Sequence, residues 1–121
     1  MSYESVAVIK SQCAPGVIFT VAKMSYGRRV DLMRRIRDLA RRKEFLEAGG
    51  DAGEKMDAAL LSAEISRLYL SWGLRAVNGL KLDGAEATPE MLIESGPEEL
   101  CREALSAVRE QAGLSETERK N

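Results

Sequence analysis

Arg28, Arg29, Arg34, Arg35, Arg37, Arg41, Arg42 and Lys43 crowd one short stretch, opposed between its ends only by Asp31 and Asp38. Guanidinium groups in such number suit one kind of chemistry, the bidentate holding of phosphate or carboxylate oxygens. Phosphate would mean nucleic acid, and carboxylate would mean an acidic protein surface. A solvated helix face would need neither. Arg34, Arg37 and Arg41 share one side of a helix, and Arg28, Arg35 and Arg42 share another. No aromatic rings interleave with them to stack on single strands. The sequence pI of about 5.6 is far from that of a basic nucleic-acid domain. All three uses stay open, with nucleic acid the least favoured.

Catalysis finds little to work with. The chain has no histidine, which removes the commonest general base and the commonest metal ligand together. Cys13 and Cys101 are far apart in sequence and lack zinc-site spacing. Cys101 has no histidine to activate it as a nucleophile. The stretch Gly49-Gly50-Asp51-Ala52-Gly53 has neither the spacing nor the lysine of a phosphate loop. The carboxylates read as solvated helix faces. The expectation is a protein that is not an enzyme, with no metal and no cofactor.

The 121 residues are 45 % hydrophobic and 31 % charged, with two Phe, three Tyr and one Trp, so the core must be mostly aliphatic. No apolar run approaches the roughly 20 residues that span a bilayer. The N-terminus has no basic region before a long apolar one, so no signal peptide is expected. The expected compartment is the cytoplasm, with both cysteines reduced and packed. The net charge of −1 hides an uneven layout. Residues 83–121 carry ten acidic residues against Arg102, Arg109, Arg119 and Lys120. A basic first half and an acidic second half can pair internally, steer a partner, or order copies head to tail.

The elements that must position these groups follow from pattern. Glu4–Lys10 and Val17–Lys23 are β-branched runs separated by Pro15-Gly16, a hairpin over 4–23. Leu32, Ile36, Leu39 and Leu46 recur at helical spacing, with Met33 and Ala40 widening the stripe, and Gly49-Gly50 end that helix. Asp51-x-x-Glu54 is a capping box opening a second helix striped by Leu61, Ile65, Leu68 and Trp72, with Gly73 as its stop. The short connection predicts an antiparallel helical hairpin over 25–73. Asn78-Gly79 and Asp83-Gly84 make 74–87 a turn region, with a small hairpin or an extended strand. Thr88-Pro89 starts a short helix. Ser95-x-x-Glu98 is a candidate box for another, with Leu100, Ala104, Ala107 and Val108 inward. The fold class is α+β, mostly helical: one domain over 1–114, helices within 88–113, and a polar tail at 115–121. That tail holds Ser115-x-x-Glu118, a capping box with only Arg119-Lys120-Asn121 after it. A frayed polar tail is the plain account.

The second half of the chain resembles the tail assembly chaperones of long-tailed bacteriophages. The resemblance rests on Trp72-Gly73, Gly79-Leu80 through Asp83-Gly84, Ala87-Thr88-Pro89-Glu90 and Gly96-Pro97-Glu98-x-Leu100. The terminal Leu114-Ser115-x-x-Glu118-Arg119-Lys120-Asn121 and Phe45-Leu46-Glu47 behind the basic helix complete it, so it covers most of 25–121. It implies a scaffold whose partners are the tape measure protein, tail tube subunits and further copies of itself, and no membrane. It also implies a short product of a programmed frameshift: Arg119-Lys120-Asn121 can be encoded CGA AAA AAC, which contains the slippery A AAA AAC. The client groove is expected between the long helices, lined by Leu32, Ile36, Leu39, Leu61, Ile65 and Leu68, the alternative being that these residues only pack on one another, with Trp72 an interface anchor or a core residue. Two alternatives stand beside this reading: a small nucleic-acid-binding regulator using helix 28–43, and a structural tail or head-completion component of a virion.

Overall fold

Gly16, at φ 90°, turns the chain between two β-branched runs. They pair antiparallel as β1 (Val6–Lys10) and β2 (Ile18–Ala22) in a computed structural model that describes residues 1–113. Two long helices follow, α1 (Tyr26–Gly49) and α2 (Ala52–Gly73), antiparallel and joined by a tight turn. The chain then runs from α2 straight into β3 (Leu74–Asn78), with no connecting residue. β3 pairs antiparallel with the free edge of β2, so β2 is the middle of a three-stranded sheet. The turn region at 74–87 therefore holds both expected features. β4 (Lys81–Leu82) and β5 (Ala85–Glu86) form a small hairpin about Asp83-Gly84. Both turn residues have positive φ, 51° and 84°, the demand of a two-residue turn that matches strand twist. Helices α3 (Pro89–Ser95) and α4 (Glu98–Gln111) complete the order. The fold is α+β and mostly helical.

The caps explain most helix boundaries. Ser25 accepts the Arg28 N–H at 3.2 Å, Asp51 the Glu54 N–H at 2.8 Å, and Thr88 the Met91 N–H at 3.2 Å. Each satisfies a donor that the first helical turn leaves open. The Glu54 carboxyl hydrogen-bonds to that of Asp51, which lowers the Asp51 pKa and raises that of Glu54. The expected box at Ser95 is absent. Ser95 is the last residue of α3, and Pro97 caps α4 with no side-chain bond, because the Gly96-Pro97 step turns the chain after Ser95. The Ser115-x-x-Glu118 box, the tail and the Arg119–Asn121 slip site lie outside the described residues.

The core sits where the sheet, the end of α2 and the two short helices meet. Phe19 and Val21 of β2, Leu92 of α3 and Ala104 and Val108 of α4 are wholly buried, and Tyr69, Leu70 and Trp72 of α2 nearly so. Burying the larger of these, such as Phe19, Leu92 and Val108, contributes about 1.5–3 kcal/mol each. From α1 only Leu32 is fully buried, and this helix packs chiefly on α2. At 24 residues it is about 36 Å long. The architecture is thus a base carrying the core and an arm, the α1/α2 hairpin, reaching beyond it. No helix among the described residues is long and apolar enough to cross a membrane.

Candidate functional site

The cations of α1 divide by what holds them. Arg28 is a structural residue: its Nη1 donates to the Ser5 carbonyl at 2.6 Å and to the Lys23 carbonyl at 2.9 Å. It ties the outer ends of β1 and β2 to the start of the arm. Arg35 pairs with Asp31 at 3.1 Å, Arg37 with Asp38 at 3.5 Å and Lys43 with Glu47 at 3.4 Å. These pairs lie at the surface, with only Lys43 partly covered, where such contacts contribute about 0–1 kcal/mol, so they yield readily to a stronger partner. Arg29, Arg34, Arg41 and Arg42 make no ion pair among the described residues.

The seven apolar residues expected to meet a partner are differently placed. Leu32, Leu61 and Trp72 are buried, and Ile36, Leu39, Ile65 and Leu68 are half-buried. Steps of three and four on both helices, joined by a tight turn, let the two stripes close on one another. They form the seam of the arm and its root in the base, and Trp72 belongs to the core. The apolar surface that stays open lies beside that seam, on two flanks of the arm.

The first flank is the outer side of α1. Tyr26, Val30 and Met33 follow one another at steps of four and three and are 89 %, 37 % and 60 % exposed. Val30, Met33, Ile36 and Ala40 floor a shallow groove of about 510 Å³, rimmed by Arg34, Arg37, Arg41 and Glu44. The second flank lies toward the tip, between the helices. Phe45, Leu46, Leu60 and Leu61 floor a groove of about 600 Å³ with Arg41 and Arg42 on the α1 wall and Asp57 and Glu64 on the α2 wall. Phe45 is 76 % and Leu60 59 % exposed. The sequence signal for both was present but masked: Val30, Phe45 and Leu60 sit one step off the densest apolar stripe.

Among the described residues no arrangement resembles an acid–base or nucleophilic site. Burial, then the Glu98 carboxylate, pushes the Cys101 thiol above its ordinary pKa, which disfavours the thiolate. Cys13, expected to be packed, is exposed in the β1–β2 loop; both thiols are free. Among the described residues no three metal-ligating side chains gather.

One carboxylate is tightly held, and it is structural. Glu103 of α4 accepts the Ser11 hydroxyl at 2.5 Å and the Gln12 N–H at 2.7 Å, latching the β1–β2 loop to the helix. Burial alone would raise its pKa, but the bonds from Ser11, Gln12 and Cys13 together outweigh it and hold it below the ordinary 4.5. A carboxyl with a depressed folded pKa stabilises above its unfolded pKa, and the effect is lost as pH falls through the folded value. Hydrogen exchange should therefore show the Gln12 amide losing protection as pH drops below the ordinary carboxylate range. In Glu103→Gln that pH dependence should vanish, and an unchanged profile would refute the latch.

The chain matches no protein-family model, no curated protein and no solved structure.

Proposed function

We propose that the protein is a binding scaffold rather than an enzyme, one that holds a helical client along α1 in the manner of a phage tail assembly chaperone. The observation that carries this reading is the strip Tyr26–Val30–Met33, exposed beside Arg34 and Arg41, which make no ion pair among the described residues. Tyr26 and Met33 face solvent and add little to the arm's own packing, and Val30 stands partly exposed between them. A contiguous apolar strip rimmed by polar groups is the mark of an interaction surface. An amphipathic helix reads such a strip through residues three and four apart. The arginine rim selects a client with carboxylates beside its apolar stripe. A tape measure protein, long and largely helical, is the client that the resemblance implies, and the short product of a frameshift would be this chain.

The reading expects a tape measure protein to be encoded beside this chain, and the test is co-expression with it, followed by co-purification and titration calorimetry. Complex formation is expected, and Met33→Asp should weaken it by about tenfold or more, equivalent to about 1.4 kcal/mol. Met33 is exposed, so its thermal unfolding should hardly move. No complex, or a Met33→Asp variant that binds unchanged, refutes the reading. Retention of the wild-type chain on DNA, falling steeply with salt, would instead favour nucleic acid as the partner of the arginines. Finding the protein in purified particles would favour a virion component.

A further inference from the structure

The groove near the tip of the arm differs from the α1 strip in one respect, that its two walls carry opposite charge. Arg41 and Arg42 stand on the α1 side, Asp57 and Glu64 on the α2 side. None of the four makes an ion pair among the described residues, although each would gain by one. Between the walls Phe45 and Leu60 are left largely exposed. The surface to satisfy this groove must bring exposed apolar side chains flanked by acid on one side and base on the other.

We infer that this partner is a second copy of the same arm. Two arms related by a two-fold axis parallel to their helices would meet groove to groove with their tips pointing the same way. The rotation exchanges left and right, so α1 of each copy comes to lie opposite α2 of the other. Arg41 and Arg42 then face Asp57 and Glu64 of the second copy, and the same contact forms twice. An axis across the helices would instead set α1 against α1, with arginine facing arginine. Only the first arrangement is self-complementary, and an interface of that kind closes as a dimer. Phe45 and Leu60 of both copies become the centre of a four-helix bundle, the way amphipathic helical hairpins commonly bury such residues. The arrangement leaves Tyr26, Val30 and Met33 outside and does not rest on the client reading, although Arg41 lines both grooves.

The experiment is sedimentation of the full chain and of two charge-reversed variants, Arg41→Glu/Arg42→Glu and Asp57→Lys/Glu64→Lys. Wild type should sediment with twice the mass of the chain. Each variant alone should be a monomer, since both of its walls carry one sign. An equimolar mixture of the two should recover the dimer, because both contacts are then restored. Leu60→Asp, at an exposed position, should be a monomer with an unchanged circular dichroism spectrum. A monomeric wild type, a mixture that stays monomeric, or a Leu60→Asp chain that stays dimeric overturns the assignment. All of this is read without any client present, so failure here and failure of client binding are separate results.

Discussion

Phe19→Ala should destabilise the protein by about 3–5 kcal/mol, the largest loss expected from any single side chain in it. Phe19 lies on the middle strand of the sheet, with no exposed surface at all. Its partners come from opposite ends of the chain: Ile9 of β1 and Val77 of β3 flank it in register, and α4 packs against β2. Removing the ring loses its transfer free energy and opens a cavity. β1 and β3 are hydrogen-bonded to the same strand, so they cannot slide in to fill it. A domain of this size is stable by about 5–15 kcal/mol, so the loss is a large share of the total. Urea unfolding is the measurement: the midpoint should fall with the slope preserved. A loss below about 1.5 kcal/mol would mean that the centre of the core lies elsewhere.

The helices were legible because their caps are local. Asp51 and Thr88 each act on an N–H three residues away, within the span that pattern reading covers; Ser25 does the same for α1 but is not singled out by the pattern. The hairpin was legible for the same reason. An extended strand within 74–87 was legible, but its pairing was not, since the partner β2 is separated from it by the whole length of both long helices. A short apolar piece ahead of Asn78-Gly79 looks like turn texture until something pairs with it. The site divides likewise. The density of arginine was plain, but Arg28 differs from its neighbours only through two carbonyls, of Ser5 and Lys23, that the fold brings to it. The apolar stripes were read correctly as faces, yet periodicity alone does not tell a face that meets its own hairpin from one that meets a partner. Leu32 and Met33 are adjacent in sequence and have opposite fates, one buried and one open.

Gly73 carries the same lesson, and its replacement should be costly for a reason the pattern does not show. In the sequence it reads as a helix stop, the role glycine plays by taking positive φ. The structure gives it another. Gly73 is the last residue of α2, is buried, and is not among the residues with positive φ. What the position demands is the absence of a Cβ. One built there would lie 3.1 Å from Cγ2 of Val108 and closer still to Cγ1. Val108 is itself fully buried in α4, and a β-branched side chain in a helix has essentially one rotamer. It cannot swing aside, so α2 and α4 would have to separate at the point where the sheet, too, is anchored. Gly73→Ala should therefore cost about 1–3 kcal/mol, against the gain an alanine gives inside an ordinary helix. The cause can be isolated with Val108→Ala, which removes the two methyl groups in question. If the clash is the reason, the double variant should be less destabilised than the sum of the single ones, by about 0.5–3 kcal/mol. If the two effects simply add, close approach of the helices is not what Gly73 provides, and the residue would return to its plainer role as a stop.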